Sequence, residues 1–317
     1  MNGLLKIFFY GILLVFFSCS NTENTQNPAD PVGVNFDDSD SNHSNDNKIL
    51  ITERDLQNQQ GPIVAGINEN FDEVKKRQKS VGIILGPGLN RTILYASMFS
   101  MFEKKGVPVH YIAGIGYGAI VASMYASKMT GSKIEWCFYN YFNKIKGKKP
   151  FSSAWNEAVE EHLLSQINGK NIEDFDKVLV LPVWDENKNM IIYKKRGNLK
   201  EALKFNYNLA TILEEEQSLN EFNYYDREYF KKNGVDLLVA VNLLNNVKFT
   251  EVDGFSISGY EKLKNSFKKN KMYVDIFYNF NTENVFMDQP EDVPELLLKA
   301  SKESERLSEL ILGELNN

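Results

Sequence analysis

Six short apolar runs punctuate the chain between residues 81 and 278, near 81–85, 109–113, 177–183, 189–193, 235–241 and 272–278. Val81-Gly82-Ile83-Ile84-Leu85 and Val109-His110-Tyr111-Ile112-Ala113 set the type. They are rich in β-branched residues and nearly continuous in apolar character, as strands buried on both faces are. Between them lie stretches of helical period. Leu94, Met98, Met101 and Phe102 fall on one helical face that stops at Gly106-Val107-Pro108. Ala119–Ala126 is small and apolar all round and reads as a buried helix closed near Gly131. The last helix carries Val293, Leu296, Leu297, Ala300, Leu307, Leu310 and Ile311 on one stripe, broken by Ser304, which predicts docking on the sheet. Strands alternating with helices predict an α/β fold, a mainly parallel sheet covered by helices on both faces.

The pattern changes before residue 80. Lys6 precedes an apolar run from Ile7 to Phe17, and Ser18-Cys19 follows. This layout describes a signal peptide, and the 11 apolar residues are too few for a comfortable membrane span. Phe16-Phe17-Ser18-Cys19 resembles a bacterial lipobox, which implies lipidation of Cys19. An ordinary signal peptide and an uncleaved anchor are the alternatives. Ser20–Asn47 has no Lys or Arg, six acids and many Asn and Ser, the composition of a disordered tether. The expected organisation is a lipoprotein signal peptide over 1–18, an acidic tether over 19–48, an N-terminal extension over 49–79 and one domain over 80–317. Within the extension, Ile49–Thr52 suits a short strand and Asn70–Arg77 a polar turn or helix. By analogy with lipoproteins, Ser20 lacks the usual inner-membrane retention signal, so the expected site is the outer membrane, facing the periplasm.

Composition narrows the picture. A chain of 317 residues with 43% hydrophobic and 12% aromatic content can bury a substantial core. A net charge of −6, with no basic stripe or recognition motif, excludes nucleic acid as the expected partner. Lys144-Ile145-Lys146-Gly147-Lys148-Lys149 is the main basic cluster, either a solvated loop or a face toward anionic lipid. The two cysteines are Cys19 and Cys137. If the first is acylated, no intramolecular disulfide can form. Neither a metal nor a cofactor is expected.

Two glycine-rich turns carry the candidate chemistry. Gly86-Pro87-Gly88-Leu89-Asn90-Arg91-Thr92 follows the first strand, and Gly114-Ile115-Gly116-Tyr117-Gly118 follows the second. A strand–glycine turn–helix presents backbone N–H groups to an anion. The first turn lacks the Gly-Lys-Ser/Thr of a Walker loop, and Arg91 stands where a dinucleotide fingerprint needs Gly or Ala. The second has the layout of a nucleophile elbow, Gly-x-Ser-x-Gly, with Gly116 at the serine position.

In ungapped register, Gly86, Gly88 and Arg91, then Gly106 and Pro108, then Ala113, Gly114, Gly118 and Ala119 resemble the patatin-like phospholipase family. The resemblance continues through Phe175–Val183, Met190–Tyr193 with Gly197–Leu203, and Gly234–Asn242, so it covers roughly 80–317. It implies a patatin-like three-layer fold. It also implies a pocket between Gly86–Arg91, Gly114–Gly118 and the segment near 215–223. Gly86, Gly88, Asn90 and Arg91 then correspond to the oxyanion or ligand loop.

The departures bear on chemistry. Gly116 replaces the nucleophilic serine, Pro87 brings a residue with no N–H into the loop, and Tyr117 replaces a small neighbour. The family's catalytic Asp-Gly is absent from Glu215–Asn223; Asp253-Gly254 comes after the relevant strand and reads as a turn. Losing nucleophile and base together lowers such rates by about 10⁴–10⁶. Tyr117, Ser123, Cys137 and His110 are the nearest substitutes, and each has a structural reading: helix start, helix packing, core thiol and strand residue. The leading expectation is a membrane-anchored pseudoenzyme that binds a fatty acid or phospholipid or serves as a scaffold, with Tyr117 as a candidate pocket filler. The alternatives are an acyl hydrolase with a non-standard nucleophile, and a structural lipoprotein that binds a protein partner or itself.

Overall fold

The computed structural model describes residues 79–185, 190–215, 227–245, 257–281 and 293–317. The chain divides into a unit of Met1–Phe71, which lies outside the described residues, and a unit of Asp72–Asn317. The signal, tether and extension expected before residue 79 therefore lie outside the described residues.

Six strands form one sheet: β1 (Val81–Leu85), β2 (Val109–Gly114), β3 (Val178–Asp185), β4 (Met190–Lys194), β5 (Leu237–Asn242) and β6 (Ile276–Asn279). Their spatial order is β4-β3-β2-β1-β5-β6. All neighbours run parallel except β3 and β4, an antiparallel edge pair. The helices are α1 (Leu94–Lys105), α2 (Tyr117–Ala126), α3 (Gly131–Ile145), α4 (Ser153–Val159), α5 (Leu199–Tyr207), α6 (Leu209–Glu215), α7 (Arg227–Lys232), α8 (Ile257–Lys269) and α9 (Val293–Asn316). Every residue of β1 and β5 is buried, so the central strands are covered on both faces. The expected α/β fold with a mainly parallel, helix-covered sheet is what the structure shows.

The local signals act as their chemistry dictates. Gly106 closes α1 at φ +71, the left-handed conformation that glycine adopts without Cβ strain. Thr130, Ser152 and Asn198 cap α3, α4 and α5 through their side-chain oxygens.

Three expectations change. Gly131 does not close the second helix; it opens α3, and α2 stops at Ala126. A Cβ on Gly131 would lie 2.3 Å from the Ala96 carbonyl oxygen, so its bareness lets α3 meet α1. The last helix packs chiefly on α1 rather than on the sheet. Its buried stripe takes in Ser304 and Ser308, which donate back to the Ala300 and Ser304 carbonyls, while Leu310 is exposed. The sixth strand begins four residues late, because Asn270–Tyr273 closes α8 as a 3-10 turn.

Candidate functional site

The register of the parallel strands fixes the site. Leu85 pairs with Gly114 on one side and Val241 on the other. The turns that follow β1, β2 and β5 therefore leave the sheet at one edge, where ligand sites of open α/β sheets form.

At the elbow, Ile115 donates its N–H to the Leu85 carbonyl (3.0 Å), and Gly118 and Ala119 donate to Ile115 and Gly116 (2.9 and 3.0 Å). The chain reverses at Gly116, with φ +59 and ψ −132. The three glycines serve different ends. A Cβ on Gly114 would lie 2.4 Å from the Gly118 carbonyl oxygen, and one on Gly118 would lie 2.6 Å from that of Gly86. These two let strand, helix and loop touch backbone to backbone. A Cβ on Gly116 would meet nothing nearer than Pro87 Cβ at 3.5 Å. The position where a hydrolase would carry serine thus has room for a side chain, and only its φ favours glycine.

The loop after β1 is pinned as tightly. Gly86 donates its N–H to the Val241 carbonyl at 2.9 Å, and the buried Tyr95 hydroxyl lies 2.9 Å from the Gly86 carbonyl and 3.0 Å from that of Val241. Leu89 is fully buried at φ +45, a costly conformation for a branched side chain. Arg91 is buried, and its Nη1 donates to the Leu243 carbonyl at 3.2 Å, clasping the loop to the turn after β5. Burial pushes its pKa down to about 10. Asn90 is buried too, yet neither atom of its side-chain amide has a hydrogen-bond partner among the described residues. Gly88 packs against Leu243.

The structure separates the substitute nucleophiles from the elbow chemistry. Tyr117 is buried, and its hydroxyl accepts the Trp155 indole N–H at 3.0 Å. Burial pushes its pKa up to about 12, with Trp155 and Tyr141 beside it pulling the other way and Tyr207 adding to the rise. Tyr141 and Tyr260, also buried, have phenols raised well above their usual range, first by desolvation. Ser123 donates to the Ala119 carbonyl one helical turn back (2.8 Å). Cys137 is buried, which raises its thiol pKa and disfavours the reactive thiolate. His110 is exposed, its Nδ1 2.8 Å from the Pro108 carbonyl oxygen.

One residue escaped the sequence reading. Asn206 of α5 is buried and bridges three elements. Its Nδ2 donates to the Pro182 carbonyl of β3 and to the Ala202 carbonyl, both at 2.8 Å, and its Oδ1 accepts the Gly116 N–H at 3.2 Å. A signal existed: Leu199, Ala202, Leu203, Asn206 and Tyr207 make the buried stripe of α5, with an amide in a row of apolar positions.

The structure thus sets Gly86 against Gly118 backbone to backbone and Pro87 beside Gly116, whereas Gly88 and Arg91 are held against Leu243 in the turn after β5. It turns Tyr117 inward, toward Trp155. Of the third expected wall, residues 216–223 lie outside the described residues, as do Asp253-Gly254 and Cys19. No group of three or more potential metal ligands occurs among the described residues, and no described helix is long and apolar enough to cross a membrane.

Comparison with known proteins gives little beyond this geometry. No family model matches the chain, and no curated protein matches it. Among solved structures it is similar to the type III effector protein ExoU, at 12% identity and a TM-score of 0.40, over 74% of this chain and 53% of that one. It is similar at 13% identity and a TM-score of 0.37 to the ExoU–SpcU complex from the type III secretion system of Pseudomonas aeruginosa, over 74% of this chain and 52% of that one. The chain spans about half the length of these proteins.

Proposed function

We propose that the chain is a patatin-like pseudoenzyme, a domain that keeps the elbow of an acyl hydrolase as a structural joint and has given up acyl transfer. The observation that carries this reading is Gly116. Its backbone holds the reversed conformation, its neighbours Gly114 and Gly118 permit the close packing an elbow needs, and a Cβ at its position would meet nothing nearer than 3.5 Å. Packing therefore does not demand glycine here, although the positive φ favours it, and the reading takes its presence as loss of the nucleophile. Among the described residues the nearest substitutes do not take over, since Tyr117, Ser123 and Cys137 are each buried and the first two are already hydrogen-bonded.

In this reading Cys19 carries the lipid anchor at the periplasmic face of a bacterial outer membrane, and the domain acts there as a scaffold or as a binder of a fatty acid or phospholipid. The burial of 81–96 and 114–126 favours the scaffold role. Lipid capture is favoured by one observation, the unmet amide of Asn90 in the loop that would face a headgroup.

The test is turnover of a short-chain ester and of phosphatidylglycerol vesicles by the purified full-length protein. The reading expects hydrolysis at the buffer rate. Saturable turnover that disappears in Tyr117→Phe or Ser123→Ala would establish the hydrolase alternative instead.

A further inference from the structure

The exposed face of α3 carries chemistry the elbow does not use. Its buried side is Ile134, Cys137, Phe138, Tyr141, Phe142 and Ile145. Its opposite side shows solvent Lys133, Trp136 and Lys144, spaced so that they share one helical face. Trp136 is 65% exposed, although indole is among the costliest side chains to leave in water. Lys146 and Lys149, just past the helix end, are exposed as well. Lys148 is turned away, donating to the Ala154 carbonyl at 3.1 Å. Among the described residues, none of Lys133, Lys144, Lys146 or Lys149 makes an ion pair. Of the acids near in sequence, Glu135 is half-buried, well round the helix from Lys133 and Trp136, and Glu157 accepts a hydrogen bond from Ser153.

We infer that this face docks on an anionic lipid bilayer, with the Trp136 indole at headgroup depth and the four lysines reaching lipid phosphates. The pattern fits that occupant. An indole wants one apolar side and one wet side, which the bilayer interface supplies. Lysine stems lie along the apolar boundary while their ammonium groups stay with the phosphates. The chain as a whole carries a charge of −6, so an anionic surface repels most of it. A local cluster of four unpaired lysines is then what orients the domain, and it does so only within a Debye length, about 10 Å at 0.1 M salt. The inference stands apart from the fate of the elbow, because no residue of the elbow contributes to it.

The test uses the full-length protein reconstituted in vesicles of brominated phosphatidylcholine, with or without phosphatidylglycerol. Quenching of Trp136 is read as the difference between the parent and Trp136→Phe, which subtracts the other two tryptophans. The expected result is quenching at least about threefold stronger with phosphatidylglycerol, falling to the neutral-lipid level in 1 M salt, where the Debye length is about 3 Å. The triple variant Lys144→Glu, Lys146→Glu, Lys149→Glu should lose the same increment while melting as the parent does by circular dichroism. Equal quenching in both lipids, or quenching untouched by salt and by the lysine variant, overturns the inference. A face made for an acidic protein leaves Trp136 unquenched in either vesicle, and that outcome overturns it too.

Discussion

The side-chain oxygen of Asn206 accepts the backbone N–H of Gly116 at 3.2 Å, across 90 residues of sequence. The same amide donates to Pro182 at the end of the sheet and to Ala202 in its own helix. The elbow is thus held by a fixed dipole from α5 as well as by its glycines. Buried amides of this kind add little when satisfied, but their loss strands every partner. Asn206→Leu is expected to destabilise the protein by about 2–4 kcal/mol and to speed amide exchange at Gly116. Asn208→Ala, two residues on at a half-buried position, should cost within about 0.5 kcal/mol. Equal melting temperatures for the two variants would remove Asn206 from the account of the elbow.

The three elbow glycines should respond in a definite order. Gly114→Ala and Gly118→Ala drive a methyl to 2.4 and 2.6 Å from carbonyl oxygens and have no room to relax. Each should cost about 3 kcal/mol or more, or prevent folding. Gly116→Ala brings its methyl only to ordinary contact, 3.5 Å from Pro87, and bears the strain of its φ, about 1–3 kcal/mol. Urea melts of the three variants check the order, and a Gly116 variant as damaged as the others would contradict the spare volume at that position.

Two buried tyrosines of α2 set an alkaline limit on stability. Burial raises the folded pKa of Tyr117 and of Tyr125 from 10 to about 12. A phenol raised in the folded state contributes stability fully below pH 10, where both states are protonated. As pH rises from 10 toward 12, the unfolded chain releases the proton first and gains free energy, so that contribution is lost. The tyrosinate absorbance of the parent less that of Tyr117→Phe isolates this phenol from the rest of the chain's 15 tyrosines, and it should appear in this window together with the loss of far-ultraviolet circular dichroism. That difference appearing at pH 10 with the fold intact would contradict the burial of Tyr117.

Asn90 separates scaffold from ligand capture. Its two amide atoms lack partners among the described residues, and a Leu of similar volume removes that deficit. In the scaffold form, Asn90→Leu raises stability by about 1 kcal/mol. A melting temperature that falls instead, together with loss of a co-purifying lipid, would show that the amide serves a ligand.

Much of this was legible in the sequence because the signals were local. The strands at 81–85 and 109–114 follow from short, mostly apolar runs rich in Val and Ile, and the elbow follows from three glycines at alternate positions, Gly114, Gly116 and Gly118. What escaped depended on distant partners. Nothing near Arg91 shows that its guanidinium bonds the Leu243 carbonyl, 152 residues away. Nothing near Tyr117 shows that its ring turns inward to Trp155 rather than over the elbow. Gly131 misled because a glycine after a helix usually ends it, whereas here α3 presses against α1 at that point and leaves no space for a side chain.

The central claim is that no competent nucleophile remains at the elbow, and a fluorophosphonate probe reads this directly. Incubating the full-length protein with the probe, followed by intact mass and peptide mapping, reports any activated hydroxyl without assuming a substrate. The account predicts no stoichiometric adduct. One adduct per chain, mapped to Tyr117, Ser123 or a hydroxyl of residues 216–226, would contradict it.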